Sequence, residues 1–144
     1  MTQARLENLR SALIKSNLDA IALNPGSTLR YLTGQQFHLM ERPVVFLANT
    51  EADPAFILPE LEMAKMEALP YKVQPFPYGE DPSTWGAAFG NAIQALKLNG
   101  RRIGVEPRQI RLLEYEYVKG AALEAQFPDA SEAQAGLRVR KDPA

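Results

Sequence analysis

The sequence predicts an α/β fold: a three-layer α/β/α arrangement whose mixed, mainly parallel sheet contains a β-hairpin. Three observations carry this. The chain opens on a helical repeat, with Leu6, Leu9, Leu13 and Ile14 spaced i, i+3, i+7, i+8. Two apolar runs, residues 44–48 and 55–58, follow each other across a short polar turn, which is the pattern of an antiparallel hairpin. Past residue 59, helical and extended patterns alternate, as in sheets built from strand–helix–strand units.

The elements follow in order. Thr2 is read as the N-cap of the first helix, which Asn17, Leu18 and Asp19 break. Residues 20–23 form a short apolar run closed by Asn24-Pro25-Gly26, whose turn chemistry marks a buried strand. Residues 29–34 are expected to be a very short extended piece ending at Gly34, and residues 35–42 a polar loop that embeds Phe37 and Met40. After the hairpin, Pro59-Glu60 opens a second helix with Leu61, Ala64 and Ala68 on one face and Pro70 as its stop. Residues 71–76 alternate and are expected at a sheet edge, because Pro75 would remove a ladder donor from a central strand. Trp85, Phe89, Ala92, Ile93 and Leu96 then mark a helix that Asn99-Gly100 ends. Residues 102–106 form a strand ended by Pro107, and Ile110, Leu113, Tyr117 and Ala121 form a fourth helix face. Residues 131–138 are ambiguous in pattern and are read as a last strand.

A chain of 144 residues is one domain of ordinary size, able to bury roughly 70% of its unfolded surface without staples. Net charge is −1, with no basic stripe, so nucleic-acid binding by a charged face has no support. Cysteine is absent, which removes disulfides, thiolate ligands and a cysteine nucleophile together. The N-terminus carries charges throughout and lacks the apolar core of a secretion signal. No apolar run approaches membrane-spanning length. A soluble, cytoplasmic chain without a membrane partner is the expectation.

Chemistry finds little to work with. The nine glycines form no dinucleotide fingerprint and no phosphate loop. His38 is the only histidine, so two-histidine metal motifs are impossible. Glu60 and Glu62 point to different sides of their helix, as do Glu114 and Glu116, so neither pair converges. Ser11, Ser16, Ser27, Ser83 and Ser131 all lie outside a nucleophile elbow, and His38 reads as an exposed loop histidine. No catalytic residue and no metal ligand is assigned.

One segment is more specific. Residues 19–34, ending in Arg30-Tyr31-Leu32-Thr33-Gly34, resemble the opening signature of the creatinase/prolidase N-terminal domain. The asparagine often found before Tyr-Leu-Thr-Gly in that family is replaced here by residues 27–30. Two later landmarks agree in order and spacing: Gly104-Val105-Glu106, and Leu137-Arg138 with Lys141. The resemblance spans essentially the whole chain and implies the ribonuclease H-like motif of that family.

The resemblance further implies a domain over residues 1–138, with 139–144 starting a linker to a catalytic domain beyond the chain. In Xaa-Pro dipeptidases and aminopeptidases P, hydrolases of the M24 peptidase family, that second domain holds two divalent ions (Mn, Co or Zn). Creatine amidinohydrolases share the N-domain and work without metals. The implied role of this chain is non-catalytic: it helps build a homodimer and restricts access to the active site for short proline-containing peptides. Its implied partners are its own C-terminal catalytic domain and a second subunit. The candidate gating loop is residues 35–42, with Phe37 placed against a substrate side chain and His38 or Arg42 against a carboxylate. Two alternatives stay open: a peptide- or protein-binding module of a catalytically inactive relative, such as a histone-chaperone subunit, and the N-domain of a creatine amidinohydrolase. Glu106 is expected to cap a helix starting after Pro107.

Overall fold

The computed structural model describes the backbone of residues 2–139 and the side chains of residues 4–137. Helix α1 (Thr2–Lys15) leads into β1 (Ala20–Leu23), helix α2 (Ser27–Thr33), and the hairpin strands β2 (Val45–Asn49) and β3 (Ala55–Pro59). A 3-10 helix over Glu60–Ala68 precedes β4 (Gln74–Tyr78). Helix α3 (Trp85–Leu96), β5 (Ile103–Val105), α4 (Leu112–Ala121) and α5 (Ser131–Val139) complete the order. The strands form one five-stranded sheet in the order β4-β3-β2-β1-β5. β2 is antiparallel to both its neighbours, while β1 pairs parallel with β5 and β3 with β4. Four strands therefore run one way and β2 alone is reversed, the mixed, mainly parallel sheet that the pattern predicts.

Alternate side chains of β1, β2 and β3 enter two separate cores, as the two-residue period of a strand requires. Ala20, Ala22, Val45, Leu47, Ala55, Ile57, Ile103 and Val105 face α3 and α4, where Phe89, Ala92 and Val118 meet them. Ile21, Leu23, Phe46, Ala48, Phe56 and Leu58 face the opposite layer, where Leu6, Leu9 and Leu13 of α1, Leu29 and Leu32 of α2, and Leu137 of α5 meet them. The outer edge of β5 is closed by the following segment: Ile103 N–H donates to the Gln126 carbonyl and Val105 N–H to the Pro128 carbonyl. β4 forms the other edge, and its Pro75 and Pro77 are exposed there, where a missing donor breaks no ladder. Among the described residues, no helix is long and apolar enough to cross a membrane.

Several expectations change. Residues 29–33 are helical rather than extended: Leu29 and Leu32 are both buried at i, i+3 spacing, which a strand would send to opposite faces. Gly34 ends that helix in the left-handed region, φ 72°, and its N–H donates to the Arg30 carbonyl. Residues 131–138 belong to α5 and pack on α1 rather than joining the sheet. Asp129 starts this helix, its Oδ1 accepting the Ser131 N–H at 2.8 Å. The segment after Pro59 winds three residues per turn, so Met63, Met66 and Leu69 share the inner face. Leu61, Ala64 and Ala68, which a wider helix would bury, are exposed. Ile14 also faces out at 67% exposure, one position round from Leu13. The edge strand begins at Gln74, three residues later than its pattern suggests. Thr2 already lies within α1. The expected linker lies outside the described residues from position 140 onward.

Gly104 and Gly34 are constrained in different ways. A Cβ on Gly104 would sit 2.8 Å from both the Ala130 Cβ and the Leu18 Cδ1. Gly34 has open space around it but a positive φ. Gly104→Ala is expected to destabilise the fold by about 1–3 kcal/mol, through overpacking. Gly34→Ala is expected to lose about 1 kcal/mol, through backbone strain alone. Urea denaturation of both variants checks this; a Gly104→Ala protein as stable as the parent would show that the β5 contact relaxes freely.

Candidate functional site

The reversed β2 brings one set of chain segments to a single edge of the sheet. β1, β3, β4 and β5 all end there, and β2 begins there. Open α/β sheets place their binding crevices at this carboxyl edge. The segment after α2, the 3-10 helix, the turn after Tyr78 and the stretch after Glu106 meet along it.

At the β1/β5 end, polar groups stitch the two strand exits together. The Thr28 hydroxyl donates to Glu106 Oε2 at 2.7 Å, with both residues buried. Asn24 Nδ2 donates to the Gln109 carbonyl at 3.0 Å, and Gln109 Nε2 returns a bond to the Pro25 carbonyl at 2.9 Å. The Gln109 side chain can lie this close because position 26 is glycine; a Cβ there would stand 2.6 Å from Nε2. These groups border a hollow of about 610 Å³ lined by Ser27, Thr28, Glu106, Arg108, Asp129 and Gln134, among others. Glu106 does not cap a helix here, since α4 begins only at Leu112. Its carboxylate receives the Thr28 hydroxyl, and its carbonyl accepts the N–H groups of Gln109 and Ile110.

Of the three predicted loop residues, Phe37 is 7% exposed, its ring 5.1 Å from that of Phe56. The Lys65 ammonium also lies over this ring, 4.6 Å from its centroid. Phe37 thus mainly fills core space. His38 is exposed. Arg42 is half-buried, with Nη2 3.8 Å from Glu80 Oε1, a surface pair of little energetic weight. Phe37 and Arg42 line different hollows. Phe37 borders one of about 240 Å³ with Arg30 and Gln35; Arg42 borders one of about 450 Å³ with Met40, Pro59, Leu61 and Glu62. The three side chains therefore do not converge.

A buried ion pair escaped the sequence reading. Glu114, fully buried on α4, takes both Arg111 Nε at 3.0 Å and Arg111 Nη2. The bidentate fork satisfies the carboxylate in a low-dielectric setting. Its signal in the sequence is an arginine and a glutamate three apart at a helix start. Nearby, the Tyr78 hydroxyl donates to the Pro43 carbonyl, and burial pushes the Tyr78 phenol well above its ordinary pKa.

Glu114→Gln is expected to destabilise the chain by about 2 kcal/mol, less than a wholly buried pair because Arg111 keeps some solvent. Arg111→Met is expected to cost more, since it strands the carboxylate. The comparison is read from denaturation midpoints. The Asp129 carboxyl is held below its ordinary pKa by hydrogen bonds from the Ser131 side chain and N–H. A depressed carboxyl stabilises the fold above the unfolded value, about pH 4, and that contribution is lost as pH falls through the lower folded value. The Ser131 amide resonance, followed from pH 6 to 2, is expected to report this loss with a midpoint below 4.

Comparison with known proteins bears on the whole chain. Residues 5–140 match the sequence profile of the creatinase/prolidase N-terminal domain. No curated protein sequence matches. Among solved structures, the chain is similar to a dipeptidase from Mycobacterium ulcerans (TM-score 0.81, 21% identity), covering 98% of this chain and 37% of that one. It is similar to a prolidase from Thermococcus sibiricus (TM-score 0.83, 19% identity), covering 99% of this chain and 38% of that one. It is also similar to the creatinase/prolidase N-terminal domain of an X-Pro dipeptidase from Streptococcus pyogenes (TM-score 0.73, 21% identity), covering 92% and 98% of the two chains. The chain thus spans little more than a third of the first two relatives, and at these identities the structural likeness speaks to the fold. With the family profile matched along nearly its entire length, this chain belongs to the creatinase/prolidase N-terminal domain family.

Proposed function

We propose that this chain is the non-catalytic N-terminal domain of an Xaa-Pro metallopeptidase of the prolidase or aminopeptidase P type. There it contributes to dimerisation and limits which substrates reach the active site. Family membership over residues 5–140 is the observation that carries this reading. The dipeptidase and prolidase relatives are more than twice as long as this chain, in keeping with a second domain that holds the reaction chemistry.

Among the described residues, no group of three or more His, Cys, Asp or Glu could hold a metal ion. The two divalent ions of the proposed parent, Mn, Co or Zn, belong to its catalytic domain. The gating role falls to residues 35–42, which stand at the carboxyl edge with His38, Leu39 and Met40 exposed. The half-buried Arg42 offers a guanidinium suited to a peptide carboxylate. In this reading the buried Phe37 serves the loop from below, and His38 and Arg42 supply the outward chemistry. Partners are the catalytic domain of the same chain, a second subunit and short proline-containing peptides, in the cytoplasm.

Incubated with manganese or cobalt, the 144-residue chain alone is expected to leave an Xaa-Pro dipeptide intact; metal-dependent cleavage would overturn the reading. In the full-length parent, Arg42→Ala is expected to raise KM for a dipeptide about tenfold with little change in kcat, the mark of lost ground-state binding. An unchanged KM would remove Arg42 from the gate.

A further inference from the structure

Residues 35–43 are tied at two ends and at little between. At the near end, the Gln35 N–H donates to Thr33 Oγ1 at 3.1 Å, just past the left-handed Gly34. Phe37 then turns into the core against Phe56. At the far end, Tyr78 holds the Pro43 carbonyl, and Pro43 and Val44 are buried. Among the described residues, no hydrogen bond reaches positions 38–41, and Leu39 and Met40 are 50% and 36% exposed.

One side chain closes the near end. Lys65, on the 3-10 helix, donates from Nζ to the Gln36 carbonyl at 2.9 Å. The same ammonium lies over the Phe37 ring and 3.1 Å from Glu62 Oε2. An ammonium has three donors and no acceptor, so a carbonyl, an aromatic face and a carboxylate together satisfy it. No backbone–backbone hydrogen bond among the described residues holds Gln36 or Phe37. The Phe37 ring and Lys65 therefore carry this anchor between them.

We propose that Lys65 is a latch, a positioning residue that seats Gln36 and Phe37 on the core and so fixes where the exposed span 38–41 stands. With the latch released, that span swings from its far anchor at Pro43, and His38 moves with it. The proposal takes its functional meaning from the gating reading above, but its test needs only this chain.

Limited chymotrypsin digestion followed by mass spectrometry reads the latch directly, because Phe37, Leu39 and Met40 are cleavable once the span opens and cutting follows the open population. Lys65→Met keeps the apolar stem over Phe37 and removes charge and donors. It is expected to speed nicking between residues 37 and 41 by about tenfold, the combined weight of one hydrogen bond and one cation–π contact. Lys65→Arg restores both interactions and is expected to return nicking close to the wild-type rate. Wild-type nicking in Lys65→Met, or failure of Lys65→Arg to rescue, overturns the latch. So does cleavage that rises evenly along the chain, the sign of general unfolding. Peptidase activity in the isolated chain would sink the gating reading and leave the latch result untouched.

Discussion

Covering both faces of the five-stranded sheet constrains everything else in this molecule, because it leaves almost no strand position open to polar chemistry. Every residue of β1, β3 and β5 is buried, and β2 is buried but for Asn49. Polar groups are pushed to the strand exits, and the single reversed strand gathers four of those exits on one edge. Buried polar groups must find partners there or lose the hydrogen bonds that water would give them. The Thr28–Glu106, Asn24–Gln109, Tyr78–Pro43 and Arg111–Glu114 contacts are that solution. The edge is thus knotted by polar contacts between segments far apart in the chain.

The same constraint explains what the family landmarks do. Tyr-Leu-Thr-Gly is the end of α2. Leu32 enters the core, Thr33 bonds back to the Leu29 carbonyl, Gly34 takes the left-handed turn, and Tyr71 reaches over to the Leu32 carbonyl. Gly-Val-Glu is the β5 exit, where Gly104 admits Leu18 and Ala130 at close range and Glu106 receives Thr28. Leu137 seals α5 at 2% exposure. These positions hold geometry rather than chemistry, so they identify a scaffold. Relatives near 20% identity superpose with TM-scores around 0.8 because cores tolerate exchange when volume and pattern are kept.

Legibility in the sequence followed the strength of periodicity. Helix α3 was readable because five apolar residues recur at helical spacing and all five are buried. The hairpin was readable because its two runs are uninterrupted and its turn is polar. Helices α2 and α5 were not, because seven and nine residues give too few turns for a period to declare itself. The segment after Pro59 misled because its pitch is tighter than the one assumed, which rotates Leu61 outward. In the candidate site, the loop and the exposure of His38 were legible. The burial of Phe37 was not, because Phe56 and Lys65, its neighbours in space, lie 19 and 28 residues further along the chain.

By itself the sequence determined the family, the layer order and the absence of cysteine and paired-histidine chemistry, since these depend on residue identity and local pattern. Tertiary structure alone decided which charges are buried, which loop residues face solvent and which side chain holds the loop. Those outcomes depend on segments far apart in the chain meeting at one edge. A local pattern carries no record of that meeting: Glu114 and Glu116 look alike in the sequence, and only packing sends one inside with Arg111 and leaves the other exposed.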